Sequence, residues 1–162
     1  MKKGLSTVIS VLLMILLAII IVGVVWTIIN SLIKTEMRSS VCFGKTDKLA
    51  LNNDYTCYDS DKKEFHFSVE RGDVDIDGIV VMISNVYETK SYEIKKEAET
   101  IPGLINYDGT TSIKIPDKNA GLTYIVKKIE KPSSIKVAMI IGEQQCAISD
   151  SIEQIDDCSL LT

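Results

Sequence analysis

The sequence predicts an α+β chain: a long N-terminal hydrophobic α-helix followed by an all-β, sandwich-like globular head. Three observations carry that prediction. Val8–Ile29 is an apolar run of 22 residues, interrupted only by Ser10, Gly23 and Thr27, with no charge between Lys3 and Lys34. Beyond Val41 the pattern changes to short alternating stretches separated by polar turns. All four cysteines, Cys42, Cys57, Cys146 and Cys158, lie in that second part.

The apolar run is long enough to cross a membrane, since about 20 helical residues span a hydrocarbon core of ~30 Å. Helical spacing continues past it, with Leu32, Ile33 and Met37 on one stripe while charges appear around them. No proline precedes Pro102, and the first weak point is Ser39-Ser40. A helix from Leu5 to Arg38 would be about 50 Å long. Gly23 reads either as a tolerated membrane-helix glycine or as a place where backbones approach closely. The run exceeds the ~7–15 apolar residues of an ordinary secretory signal. Nor does Asn30-Ser31-Leu32-Ile33-Lys34 offer a small-residue cleavage site.

In the head, Phe65, Phe67 and Val69 alternate with Glu64, His66, Ser68 and Glu70, a half-buried strand pattern. Arg71-Gly72-Asp73 reads as a turn. Val74 and Ile76 then point inward between Asp73, Asp75 and Asp77 at a solvated strand edge, before the buried run Ile79–Ile83. Tyr92 and Ile94, Ile113 and Ile115, Leu122–Ile129 and Ile135–Ile141 supply further strands, the last two divided by Lys131-Pro132-Ser133-Ser134. Asp54, Asp59 and Asp61 with Asn52 and Asn53 read as an exposed loop, and Ser149–Leu161 as an irregular tail or short helix. Short strands at this spacing without helical periodicity predict a β-sandwich.

The even cysteine count fits disulfides in an oxidising compartment. Four cysteines allow three connectivities. The local pairs Cys42–Cys57 and Cys146–Cys158 are favoured because they close loops of only 14 and 11 intervening residues. Each would stabilise by about 3 kcal/mol in the loop-entropy model. The C-x₂₋₄-C spacing or histidine partners of a zinc site are absent from the sequence.

The formal net charge is −4 and no basic stripe follows the helix, which argues against a nucleic-acid partner. Asp73-Val74-Asp75-Ile76-Asp77-Gly78 matches the opening of a calcium loop. The twelfth position, where a bidentate acid is needed, is Ser84, and strand patterns flank the segment. Asp73, Asp75 and Asp77 are thus a weak calcium candidate, and the expected reading is solvated carboxylates. His66, the only histidine, is expected on the polar face of its strand, with no nucleophile elbow, zinc pair or phosphate loop beside it. No catalytic residue, metal or cofactor is expected, and Arg71-Gly72-Asp73 is read as a turn rather than an integrin-type ligand.

Met1-Lys2-Lys3-Gly4-Leu5-Ser6-Thr7 places two lysines and a glycine directly before the helix. Lys2-Lys3-Gly4-Leu5-Ser6-Thr7-Val8-Ile9 resembles the class III signal peptide of type IV pilins, most closely the archaeal pilins, over residues 2–29, about a sixth of the chain. That resemblance implies recognition at Lys2, Lys3, Gly4 and Leu5 by a prepilin peptidase that cuts after Gly4. Bacterial pilins usually carry a glutamate at the fifth mature position, which here is Ile9. Archaeal pilins commonly lack it.

The implied organisation is a leader at 1–4, a transmembrane and filament-core helix at 5–38, and an extracellular head at 39–162. The positive-inside rule puts Lys2 and Lys3 in the cytoplasm. The resemblance further implies partners: identical subunits packed through Leu5, Val8, Ile9, Leu12, Leu13, Leu16, Ile20, Gly23, Trp26 and Ile29, the peptidase and the assembly machinery, and the membrane before assembly. It implies a surface filament for adhesion or attachment. The leader also resembles that of archaellins, whose mature helix usually starts glycine-rich, unlike Leu5–Ile9. An uncleaved membrane-anchored binding domain is the other alternative.

Overall fold

The computed structural model describes residues 3–158, with side chains at 9–30 and 41–158. Lys2, the side chains of Lys3, Leu5 and Val8, and residues 159–162 of the expected head lie outside the described residues. The chain divides into two compact units at Val41/Cys42.

The first unit is helix α1 (Lys3–Cys42, 40 residues), about 60 Å long at 1.5 Å per residue. It continues four residues past the expected end at Arg38, because serine is only mildly unfavourable within a helix. The stop is supplied by Gly44, whose φ of +68° suits a residue without Cβ, and the Lys45 N–H donates to Cys42 O at 3.2 Å.

The second unit is a two-sheet β-sandwich entered through a single 3₁₀ turn, Thr46–Lys48. Its strands are β1 (Leu49–Asp59), β2 (Glu64–Arg71), β3 (Gly78–Ser84), β4 (Thr89–Lys95), β5 (Leu104–Asn106), β6 (Ala120–Lys127), β7 (Ser134–Ile141), β8 (Gln144–Ile152) and β9 (Asp156–Asp157). One sheet has the order β5-β6-β2-β1-β9 and the other β4-β3-β7-β8. Every named pairing is antiparallel except β1 with β9.

Inner-face residues of both sheets form one core. Phe65, Phe67 and Val69 of β2, each 0% exposed, meet Tyr124 and Val126 of β6 and, from the other sheet, Ile79, Val81, Ile135 and Val137. Phe67 lies opposite Tyr124 in the β2–β6 register, and their rings are 5.3 Å apart. Such close-packed cross-strand aromatic pairs add to the burial of apolar area. The expected alternation in β2 therefore holds on its inner face.

Several expectations change. The favoured local disulfides are not formed: Cys42 bonds Cys146 and Cys57 bonds Cys158. Short spacing favours a local bond only when the chain between the cysteines can turn back. Residues 49–57 instead belong to strand β1, which carries Cys57 away from Cys42 and alongside β9.

The polar stretch Asn52–Asp59 is strand rather than loop. Asn52, Asn53 and Asp54 sit at a break in register between Asn52 and Cys57, a β-bulge, whereas Asp59 pairs with Glu64 and Asp61 lies in the exposed turn that follows, as expected. Ser149–Ile152 completes β8, and the following segment is held by buried Ile155 and the short β9. The asymmetric burial of β8 hides it from a test based on alternation. Ile113 and Ile115 are buried as expected, yet only a single bridge, Glu99 to Ile113, forms there. Asp73–Asp77 is an irregular link between β2 and β3 rather than a strand edge, with Val74 and Ile76 buried as expected.

Candidate functional site

Within α1, Ile9–Asn30 has a mean hydropathy of 3.1 and is long and apolar enough to cross a membrane. Ile9, Leu12, Leu13, Leu16, Ile20, Trp26 and Ile29 are all exposed, from 43% at Ile29 to 66% at Trp26. They occupy a little over half of the circumference. Intervening positions such as Met14, Leu17 and Val22 are equally uncovered, so the segment has no polar stripe. A helix apolar on every side requires an apolar surrounding, either lipid or other helices. The Thr27 hydroxyl donates to Val24 O at 2.7 Å and so keeps its polar group satisfied within the helix. At Gly23 an added Cβ would meet nothing within 4 Å, which leaves a shallow notch in this surface.

In the head, each of the three aspartates of the calcium-like motif is engaged by a group of the chain itself. Lys118 Nζ lies 3.3 Å from Asp73 Oδ1 and 2.9 Å from Asp75 Oδ2. The hydrogen bond from Lys118 holds the Asp75 carboxyl below the usual carboxylate range, and Asp75 reciprocally raises Lys118. Asp77 Oδ2 instead accepts the Gly142 N–H at 2.6 Å. An internal ammonium thus supplies the countercharge for two of the three carboxylates.

Arg71 is 6% exposed. Its Nε and Nη2 donate to Val74 O at 3.0 and 2.7 Å, and Nη1 donates to Pro116 O at 2.9 Å. The guanidinium ties the β2–β3 link to the segment before β6, so Arg71-Gly72-Asp73 does not display its arginine.

His66 lies on the outer face of β2 between the inward Phe65 and Phe67, as expected, but is largely covered there. Its side chain is 18% exposed, its ring stands edge-on to Tyr107 at 6.3 Å, and Nε2 is covered without a hydrogen-bond partner. The nearest acid, Glu64 Oε2, is 3.7 Å away, beyond hydrogen-bonding distance. The sulfurs of Cys57 and Cys158 and a ring nitrogen of His66 lie within 4.8 Å of one another. Both sulfurs are consumed in the disulfide, so neither can be the thiolate a metal would need.

Together these groups floor an open cleft of about 600 Å³ walled by Asp54, Tyr55, Asp59, Lys62, Tyr107 and Thr123. Asp59 shapes the turn at its rim. Its Oδ1 accepts the N–H groups of Asp61 (3.1 Å) and Lys62 (3.0 Å), and its Oδ2 is 3.3 Å from Lys62 Nζ. The backbone bond from Lys62 is the largest cause of a pKa below the usual carboxylate value.

Sequence reasoning missed Tyr55 and Tyr107, which stand 64% and 70% exposed over this cleft. The available signal was a tyrosine inside each of two polar stretches, Asn52–Thr56 and Asn106–Thr110. No protein-family model matches the chain, and a search of curated proteins finds no significant match either.

Proposed function

We propose that this chain is a pilin-like structural subunit, inserted in a membrane through α1 and assembled into a surface filament by packing that helix against copies of itself. The observation that carries the reading is the apolar surface of Ile9–Ile29, uncovered on every side within its own chain. Lys2 and Lys3 remain cytoplasmic, and a prepilin peptidase cuts between Gly4 and Leu5. Lipid around the helix is then exchanged for equivalent helices, with shape packing as the driving term, since lipid and helix surface are similarly apolar. Leu12, Leu16, Ile20 and Gly23 fall at helical spacing and supply one seam of that bundle. Repeated head-to-tail contacts whose rotation does not close generate an open helical fibre. The disulfide-bonded sandwich is displayed outside, for attachment to surfaces.

The test is the intact mass of membrane-extracted protein co-expressed with and without an archaeal prepilin peptidase, followed by electron microscopy of sheared cell-surface material. Peptidase-dependent loss of Met1–Gly4 together with filaments containing the chain is the expected outcome. An unprocessed N-terminus, where a control pilin is cut, would replace this reading with that of a plain membrane-anchored surface domain.

A further inference from the structure

We infer that the cleft over the Cys57–Cys158 disulfide is a binding site for a neutral saccharide, gripped between Tyr55 and Tyr107. The two tyrosines reach it from distant parts of the chain, and each is held out by a structured backbone. Tyr55 lies where the β1–β2 register breaks between Asn52 and Cys57. There the Asn52 side chain accepts the Asp54 N–H at 2.9 Å, and the Thr56 hydroxyl donates to Asn52 O at 2.6 Å. Bulges of this kind re-aim side chains and are enriched at functional sites.

Tyr107 rides a turn in which Asp108 Oδ1 accepts both the N–H (2.9 Å) and the hydroxyl (2.7 Å) of Thr110. The Asn106 N–H bonds Thr110 O at 2.9 Å, and the Tyr107 N–H bonds Thr123 O at 3.0 Å. The His66 ring braces Tyr107 from below. Two large aromatic side chains are therefore left largely in solvent on backbones that cannot easily fold them away. Rigid tyrosines offer contact area at little entropic cost.

The remaining chemistry selects the ligand class. Asp54 and Asp59 supply acceptors, and Lys62 and Thr123 supply donors, around one cleft. Its volume of about 600 Å³ lies within the ~300–1,000 Å³ range of small-ligand clefts. Two carboxylates against one ammonium disfavour an anion. Lys62 within the wall disfavours an organic cation, which would otherwise suit a pair of tyrosines. A sugar ring satisfies all of it, because its C–H face lies on an aromatic ring while its hydroxyls both donate and accept. The site belongs to the head and does not depend on filament assembly.

The test uses the full chain in phosphatidylcholine nanodiscs, since sugar-headed detergents would compete. It is applied to a panel of immobilised neutral oligosaccharides built from glucose, galactose, mannose and N-acetylglucosamine. Saturable binding to at least one of them is expected, weakened about tenfold or more in Tyr55→Ala and in Tyr107→Ala. It should be unchanged in Tyr87→Ala, a still more exposed tyrosine (89%) on the Asn85–Glu88 turn outside this cleft. Thermal melting establishes that each variant is folded, and Tyr107→Phe, which keeps the ring, should retain binding. No binding across the panel, or binding equally strong in folded Tyr55→Ala and Tyr107→Ala, overturns the assignment.

Discussion

Replacing Cys57 and Cys158 together by alanine should destabilise the head by about 3.5 kcal/mol in the loop-entropy model, and the figure follows from how the two bonds interlock. Alone, each bond closes a very long loop, with sequence separations of 104 and 101. The first to form removes about 4.7 kcal/mol of unfolded-chain entropy. Once Cys42–Cys146 is closed, the route from Cys57 to Cys158 runs back 15 residues to Cys42, across the bond, and on 12 residues from Cys146. The second bond then closes a ring of about 27 residues, worth about 3.5 kcal/mol on the same relation.

Losing both bonds would cost about 8 kcal/mol, comparable with the ~5–15 kcal/mol total stability of an ordinary domain. The double-pair variant should therefore be largely unfolded, while the single-pair variant remains folded but weakened. Urea unfolding of the full chain in nanodiscs measures this, followed by the near-ultraviolet CD of the six tyrosines, all of which lie in the head. A non-reducing tryptic digest tests the connectivity directly. Lys45 and Lys48 separate Cys42 from Cys57, whereas no lysine or arginine lies between Cys146 and Cys158.

The observed pairing yields one species in which the Cys42 and Cys57 peptides are both attached to the C-terminal peptide 137–162. A second cut after Glu153 then assigns each bond. Recovery of peptide 137–162 alone, bridged within itself, would refute the reasoning, as would a loss below about 1 kcal/mol in the Cys57/Cys158 variant.

Two further predictions concern buried polar groups. Arg71→Lys keeps the charge but cannot reproduce the fork that bonds Val74 O and Pro116 O. It should cost about 3 kcal/mol in the same urea assay, and a loss under ~0.5 kcal/mol would show that the guanidinium is dispensable. Tyr124 is fully buried, its hydroxyl donates to Lys114 O at 2.7 Å, and burial pushes its ionisation far above the ordinary tyrosine range. The folded state thus holds this proton more tightly than the unfolded state. The associated stability is complete below about pH 10 and is lost as pH rises further, by up to ~1.4 kcal/mol per pH unit. Tyr124→Phe should be slightly less stable at pH 7 yet lose stability less steeply above pH 10; parallel slopes for the two proteins would count against the assignment.

What could be read from the residues alone was what depends on near neighbours. The apolar run Val8–Ile29 determines a helix with no polar face, because its composition leaves no alternative at any point on the circumference. Phe65-His66-Phe67-Ser68-Val69 determines a strand and its inward face, since side-chain direction in a strand alternates by geometry. Even the end of the helix had a local signal in Gly44, although Ser39-Ser40 looked like the earlier stop. The tertiary structure decided everything that depends on distant residues meeting. Asn52–Asp59 has the composition of a loop, yet it continues the strand past a bulge because β2 pairs with Asn52 and with Cys57–Asp59, and β9 with Cys57 and Tyr58. That extension carries Cys57 to Cys158 and leaves Cys42 for Cys146, reversing the pairing that short spacing favours. The bulge it contains places Tyr55 at the cleft that Tyr107, 52 residues away in sequence, also lines. Loop-closure entropy favours near partners only until a sheet fixes the chain between them, and here the sheet decides which cysteines and which aromatics meet.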